Sequence, residues 1–572
     1  MNILSLHLIN HDANVTYYSD ETVVNGKKST YLNIERVKGI KKYHYYKWDF
    51  PKLADDLKGM GIPKVLDAIV VTVGEQTGTP EEEEKLNWRY KENDLIHEIS
   101  EEKFLNVFEN IPYRAEKYYR CEHHYAHYMN GVWLHGINSG LVIDGCGDYG
   151  VHTSVFKGRK RVLKYSMQDM CSIGDLYYDI SADLLGRGIK EKWENTFADR
   201  SGNFMGLISY GKVNETYANH LRKYDFKEFV GEAFNHHKYF SVSGMTEDKV
   251  YFGHGHKAIT EDGRGSTKES IYPHAQVHVH PNGYPFVNQW HLDWFRTVQT
   301  VLAEKLVQFC AEYFKHDEEF VYSGGVAHNV VINEVLSAMF TNMKIPPSIG
   351  DEGQSIGSMY AILDHLGIEA DDCPTTNWQD EVIPMMDKET AYTVADLMIH
   401  DKIIAVCQGE SHVGPRALGN RSILYLTNRK YAAHYFNERK IKQREWWRPY
   451  GIMILEEDLS KYLQTETLSP YMLHTAKPTE LGTEALSGVI HTDNTVRYQT
   501  ISDGPYRWLL ERLKEMGLPP TVINTSLNAP GKPMCHTVGD TMSFADNYGP
   551  DVVVIGNEVF LTNHRGVLWS NN

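Results

Sequence analysis

The sequence predicts an α/β protein of two large domains, and three observations carry that prediction. Apolar runs rich in Val, Ile and Leu recur at residues 2–9, 65–73, 140–144, 403–409 and 551–556. Stretches with helical spacing separate them. At 572 residues the chain is too long for a single hydrophobic core.

The elements follow in order. Residues 2–9 read as a first strand, because the run is short and no basic segment precedes it as in a signal peptide. Residues 14–18 and 30–34 add a hairpin partner and a third strand. Residues 51–60 read as a helix, and 65–73 as a buried strand followed by Gly74. The charged stretch 80–110 reads as largely helical, with Glu81–Glu84 as a solvated helix start. Next comes Glu122-His123-His124-Tyr125-Ala126-His127, in which His123 and His127 are four apart. On a helix they share one face and can hold one metal ion. Asp144 ends the apolar run Gly140-Leu141-Val142-Ile143, at the strand end where open α/β sheets meet their ligands. Asp351, in Gly350-Asp351-Glu352-Gly353, is a further oxygen ligand. Two imidazoles with one or two carboxylates suit Fe, Mn or Zn and leave positions open for substrate. Strands, helix, strands and a metal-bearing turn in this order resemble half of an actin-like ATPase fold.

Glycines 202, 206 and 211 suit close approach to a ligand or a neighbouring helix. Residues 235–285 turn irregular and rich in His, Gly and Tyr, which reads as a long surface or acceptor-facing loop. A helix over 293–314 and a strand over 320–322 lead to Ser323-Gly324-Gly325-Val326-Ala327-His328-Asn329. A glycine pair between a strand and a helix N-terminus can cradle phosphate or ribose. The polar, proline-containing stretch 368–386 marks the domain boundary, giving domains over 1–372 and 373–572.

The second domain carries its own chemistry. Strand 403–409 leads into Gly414–Leu424, with Arg416 and Arg421 among glycines, and Lys442, Arg444 and Arg448 follow in Ile441–Tyr450. Guanidinium groups bind phosphate bidentately, so this density implies an anionic substrate. A structural salt-bridge role serves equally well for Arg421 and Arg444. Residues 522–528 end a strand with small hydrogen-bonding side chains, Ser526 among them, and 551–556 form a late strand.

Bulk properties narrow the field. A formal net charge of −17 argues against a nonspecific nucleic-acid coat, without excluding a local basic groove. Seven scattered cysteines with no CxxC pair read as reduced thiols, and no apolar stretch reaches membrane-spanning length. The expectation is a cytoplasmic protein with no membrane partner.

Assembled, these motifs resemble the NodU/CmcH family of O-carbamoyltransferases nearly end to end. His11-Asp12-Ala13, Glu35-Arg36 with Lys41, and the histidine cluster match in family order. So do the Asp144–Asp148 turn, the glycine motifs near 206 and 324, Gly414–Leu424, Lys442–Pro449 and Asn524–Asn528. His328 departs from the pattern, leucine being usual there. The resemblance implies an actin-like N-terminal domain and a YrdC-like α/β C-terminal domain. The C-terminal domain would make carbamoyl adenylate from carbamoyl phosphate and ATP, and the N-terminal domain would pass the carbamoyl group to an acceptor hydroxyl. It implies His123, His127, Asp144 and Asp351 as ligands of a divalent metal, iron foremost, with manganese, magnesium and zinc as the other candidates. Arg416, Lys442, Arg448 and Ser526 would bind carbamoyl phosphate or the phosphates. Gly324, Gly325 and Asn329 would hold the adenosine part. His11 is the candidate base for the acceptor hydroxyl, or else an adenylate contact, and Asp12, Lys41 and Arg416 join it as catalytic candidates.

Rival readings are a threonylcarbamoyl-type tRNA-modifying enzyme, a sugar kinase or chaperone ATPase, and a noncatalytic nucleotide-binding scaffold. The first would not need a fused carbamoyl-phosphate module, and the second lacks a two-histidine cluster. The favoured acceptor is a small hydroxylated metabolite or nucleoside, with 5-hydroxymethylated DNA as the alternative. The 36 tyrosines and 11 tryptophans could stack a sugar or a base. Lys257, Arg264 and Lys268 in the histidine-rich loop hint at phosphate contact beside the simpler reading of a solvated loop. A homodimer is left open.

Overall fold

Three sheets, each at the centre of its own packing, organise the chain in a computed structural model. The structure describes residues 1–9, 11–21, 26–72, 94–185, 199–240, 289–432, 435–436, 439–442, 447–563 and 566–568.

The first sheet holds β1 (Asn2–His7), β2 (Asn14–Ser19), β3 (Ser29–Asn33), β4 (Val65–Val71), β5 (Ile96–Ile99) and β6 (Arg114–Cys121), in the order β3-β2-β1-β4-β6-β5. β1 pairs antiparallel with β2 and β2 with β3, while β1, β4 and β6 run parallel. Apolar layers cover both faces, which is why β1 and β4 read as nearly continuous hydrophobic runs.

The second sheet repeats the plan. It holds β7 (Ser139–Ile143), β8 (Val151–Lys157), β9 (Lys160–Ser166), β10 (Phe320–Ser323) and β11 (Met343–Lys344), in the order β11-β10-β7-β8-β9. Again an antiparallel three-strand meander is extended by parallel strands. This repeated wiring agrees with the expected actin-like arrangement of the N-terminal region. Helices His123–His135 and Gln354–His365 cross between the two sheets. A Cβ on Gly357 would stand 1.8 Å from the Ala126 carbonyl oxygen, so only glycine permits that crossing.

The third sheet has nine strands: β12 (Ile404–Cys407), β13 (Arg421–Leu426), β14 (Gly451–Leu455), β15 (His474–Ala476), β16 (Val496–Ile501), β17 (Thr521–Ser526), β18 (Val552–Ile555), β19 (Glu558–Asn563) and β20 (Gly566–Leu568). Its pairing is mixed. Register places Ser422 beside Ser526, and Gly451 beside both Arg497 and Asn524. Polar side chains of this half, Ser422, Ser526, Asn524 and Arg497, therefore gather at one end of β13, β17, β14 and β16.

One expectation needs correction, and other elements went unread. Within the described part of 80–110, strand β5 precedes helix Glu101–Val107, because Ile96 and Ile99 seal the edge of β6 between polar residues. β6 itself was not anticipated, since Arg114, Glu116 and Lys117 mask its buried half, Tyr118–Cys121. The late strand appears as β18, and β19 and β20, which were not anticipated, fold back against it. Helix Phe226–Phe240 reaches into the expected irregular region, and residues 241–288, including Lys257, Arg264 and Lys268, lie outside the described residues.

A two-histidine, two-aspartate cluster on a shared cavity

Four side chains from three segments converge behind the junction of the three sheets. Helix His123–His135 begins at Glu122, whose carboxylate accepts the Tyr125 N–H at 2.7 Å and pairs with Arg161 at 2.8 Å. The cap fixes the first turn, so His123 and His127 present Nε2 atoms only 3.2 Å apart. Asp144 follows β7, and its Oδ2 lies 3.1 Å from His123 Nε2 and 3.3 Å from His127 Nε2. Asp351 opens the turn before helix Gln354–His365, with Oδ1 at 3.3 and 3.5 Å from the same nitrogens. Its helix N-terminus favours that carboxylate.

The donor set fits a divalent metal. One ligand atom from each of the four residues lies within 4.8 Å of the others. A metal with bonds of about 2.0–2.2 Å sets its ligand atoms about 3–3.5 Å apart, as here. Burial alone would raise the Asp144 carboxyl. The hydrogen bonds from His123 and His127 outweigh it and hold the group well below the usual carboxylate range. Asp351 behaves likewise, burial being overcome first by the charge on His123. The supporting contacts were not visible as such in the sequence. Gly325 N–H donates to Asp144 Oδ1 at 3.0 Å, and a Cβ on Gly325 would meet that oxygen at 2.6 Å. Asp148 accepts the His123 N–H at 3.1 Å and pairs with buried Arg120 at 2.9 Å, which makes it a support for the histidine helix rather than a ligand.

Beside this cluster, His11 Nδ1 lies 2.6 Å from Asp12 Oδ2, which also receives Lys42 Nζ at 2.7 Å. Lys42, one residue from the expected Lys41, makes the ion pair, while Lys41 lines the cavity. Burial works against a charged His11, yet the Asp351 and Asp12 carboxylates leave its pKa raised. Glu352 was also missed: burial, then the nearby Asp12 charge, pushes its carboxyl up to about 7.

A cavity of about 570 Å³ joins this centre to the third sheet. Its wall includes His11, Asp12, Lys41, Asp144, Asp351, Gly325 and Asn329 on one side, and Arg416, Lys442, Arg448 and Ser526 on the other. Gly324 lies behind it at a φ of 93°, packed on the Ile143 carbonyl, and His123 and His127 sit beneath. Asn329 caps helix Val330–Met339 and donates to Tyr177 Oη at 3.1 Å. Lys442 Nζ reaches Ser526 Oγ at 3.3 Å and Asn528 Oδ1 at 2.6 Å. Arg421 takes the structural alternative: it is buried and donates to the carbonyls of Gln408, Asn420 and His536. Arg444 lies outside the described residues. Arg36 holds the loop before Arg416, donating to Ser411 Oγ at 2.8 Å and to the Gly414 carbonyl at 2.8 Å.

Two family models match. Residues 110–360 match the carbamoyltransferase N-terminus and residues 395–562 the carbamoyltransferase C-terminus. The chain belongs to the carbamoyltransferase family. Nodulation protein NolO of Bradyrhizobium diazoefficiens is 27% identical over 76% of this chain and 77% of its own length. The 3'-hydroxymethylcephem-O-carbamoyltransferase of Amycolatopsis lactamdurans is 27% identical over 45% of this chain and 52% of its own. An uncharacterized protein of Methanocaldococcus jannaschii aligns at 26% identity with 46% of this chain, so this chain spans only about half, 54%, of its length. Among solved structures, component A of the (R)-2-hydroxyglutaryl-CoA dehydratase of Acidaminococcus fermentans gives a TM-score of 0.31 at 8% identity, over 63% of this chain and 97% of its own. Among the described residues, no helix of this carbamoyltransferase-family chain is long and apolar enough to cross a membrane.

Proposed function

We propose that the protein is an ATP-dependent O-carbamoyltransferase that moves the carbamoyl group of carbamoyl phosphate, through carbamoyl adenylate, to a hydroxyl of a small metabolite or nucleoside. One observation carries this reading: a single cavity is walled by Asp144 and Asp351 at one end and by Arg416, Lys442, Arg448 and Ser526 at the other. An activated carbamoyl group is a mixed anhydride that water destroys, so making and using it in one cavity protects it. The relative named as a cephem O-carbamoyltransferase supports the same chemistry.

The division of labour follows the cavity. Residues 373–572 form a YrdC-like domain that binds carbamoyl phosphate. There Arg416, Lys442 and Arg448 neutralise its dianion and the charge that develops on the departing phosphate. Water splits carbamoyl phosphate into phosphate and carbamate, and the carbamate oxygen attacks the α-phosphorus of ATP to release pyrophosphate. Residues 1–372 form the actin-like transfer domain, with Gly324, Gly325 and Asn329 beside the adenosine part. The acceptor hydroxyl attacks the carbamoyl carbon. Asp12 bonded to His11 Nδ1 orients the ring so that Nε2 can take the hydroxyl proton. A divalent metal held by His123, His127, Asp144 and Asp351 supplies Lewis-acid polarisation of a carbonyl or phosphoryl oxygen.

The test incubates purified protein with ATP, labelled carbamoyl phosphate and Fe(II) or Mn(II). The acceptors are nucleosides, amino sugars and duplex DNA containing 5-hydroxymethylcytosine. Carbamoyl-phosphate-dependent pyrophosphate release with label in a small acceptor is the expected result. Label in DNA alone would replace the acceptor class, and absence of pyrophosphate release would sink the reading.

A further inference from the structure

Asp493 occupies a turn between β15 and β16 that lies on the cavity wall yet reaches into the other half of the molecule. The turn closes on itself, with His491 N–H to the Thr495 carbonyl at 2.9 Å, and Asn494 held at a φ of 59°. The Asp493 carboxylate is buried, its side chain 5% exposed. Its Oδ1 accepts Thr495 Oγ1 at 2.7 Å from its own turn. Its Oδ2 accepts Ser209 Oγ at 3.0 Å and Arg296 Nη1 at 3.4 Å, both from N-terminal segments: Ser209 just follows helix Asp199–Ile208, and Arg296 lies on helix Gln289–Tyr313.

His491 carries this contact onward. Its Nδ1 lies 3.6 Å from Asp493 Oδ1, and its Nε2 donates to the Trp447 carbonyl at 2.9 Å. Tyr210 packs edge-on against the ring with centroids 5.7 Å apart. The far end of the chain of contacts is the segment Trp447-Arg448-Pro449. Trp447 is buried among the hydrophobic residues of the second sheet, not those of its own. A Cβ on Gly206 would lie 3.2 Å from both the Trp447 carbonyl oxygen and Pro449 Cδ, so the N-terminal helix seats that segment directly. Burial alone would raise the Asp493 carboxyl, but the contacts from His491 and Thr495 and the nearby Arg296 hold it well below the usual range.

We infer that Asp493 is a positioning residue for the anion-binding end of the cavity, fixing the Trp447 carbonyl through His491 and thereby the reach of the adjacent Arg448. The inference rests on the carbamoyl-phosphate reading of Arg416, Lys442 and Arg448. It adds that this site is finished by Ser209, Arg296 and Gly206 from the N-terminal half. A dianion held by three cationic side chains is sensitive to where each guanidinium stands, because bidentate contact tolerates little displacement.

The experiment titrates inorganic phosphate calorimetrically into the full-length protein and into Asp493→Asn, His491→Ala and His491→Gln, and determines KM for carbamoyl phosphate and for ATP. Asp493→Asn and His491→Ala are expected to weaken phosphate about 10-fold, the loss of one charge-assisted contact. They should raise KM for carbamoyl phosphate in step and leave KM for ATP unchanged. His491→Gln keeps an N–H for the Trp447 carbonyl and is expected to retain most of the affinity. A purely structural role would instead lower the melting temperature and weaken ATP and phosphate together, and that outcome overturns the inference. So does unchanged phosphate affinity in Asp493→Asn, or a wild-type protein that binds no phosphate. Wild-type protein that binds phosphate in this Asp493-dependent way yet releases no pyrophosphate would remove the carbamoyltransferase reading and leave the inference standing.

Discussion

The two sheets of the N-terminal half are wired alike, and in each an aspartate sits in the turn after the first strand. Asp12 follows β1 and Asp144 follows β7. Their surroundings differ. Asp12 meets the Lys42 ammonium at 2.7 Å and His11 at 2.6 Å, so cations already match its charge. Asp144 meets two imidazoles and lies next to a second carboxylate, Asp351, with the Gly325 backbone N–H on its other oxygen. The same backbone plan thus yields a histidine–aspartate–lysine contact in one turn and a cluster able to hold a divalent metal in the other. What separates them is which neighbours face the carboxylate: a lysine from the adjoining loop, or two imidazoles and a second carboxylate.

The contrast can be broken most severely at Asp144. Asp144→Ala should lower metal content and carbamoyl transfer by at least about 100-fold, more than the 10–100-fold typical of losing an outer contact to a ligand. Metal analysis beside the rate measurement checks both, and full metal occupancy in the variant would remove Asp144 from the ligand set. At the equivalent position, Asp12→Asn should leave metal content unchanged and slow acceptor transfer about 100-fold, by losing the group that orients His11. Carbamoyl-phosphate-dependent pyrophosphate release should persist, and its loss would mean that Asp12 serves the first step instead. Gly325→Ala sharpens the comparison, because its Cβ would press on Asp144 Oδ1 and nothing similar exists at Asp12. About a 10-fold weaker metal affinity is expected from titration of the apo protein.

The smallest effect concerns acid. Asp12 is held well below the usual carboxylate range by Lys42, the charge that overcomes its burial, so mild acid leaves it ionised. Burial instead keeps His474 and His412 neutral, pushing each down to about 4 from an ordinary value of 6.5. The unfolded chain takes up these protons below 6.5 while the folded one does not until about 4. Stability is therefore full above that window and falls as pH drops through it. At pH 5 the loss is at most about 2 kcal/mol per histidine. Urea unfolding at pH 7.5, 6 and 5 reads the slope, which His474→Gln should reduce. An unchanged slope would place the acid lability elsewhere.

Much of the site was legible because its parts are local. The four-residue spacing of His123 and His127 becomes one helix face, and Asp144 ends a run that could only be a strand. The cationic motifs around Arg416 and Lys442 announce an anion wherever they fold. What the sequence left unread depended on partners distant in sequence. β6 was hidden because charged residues decorate its exposed half. Lys42 rather than Lys41 meets Asp12 through a loop conformation with φ of 56° that no spacing rule reports. Arg421 and Arg416 look alike in sequence, and only their burial separates a carbonyl-bound strut from a cavity residue.

By itself the sequence determined the inventory: two imidazoles in helical register, carboxylates at strand ends, and a cationic set suited to a small dianion. Periodicity and side-chain chemistry are properties of short segments, so they survive without knowledge of the fold. Tertiary structure alone decided that both chemistries open on one cavity. It also decided that Asp493 reaches the helices opposite. Those are contacts between residues up to hundreds of positions apart, set by how three sheets pack, and packing is a collective outcome that no single segment encodes.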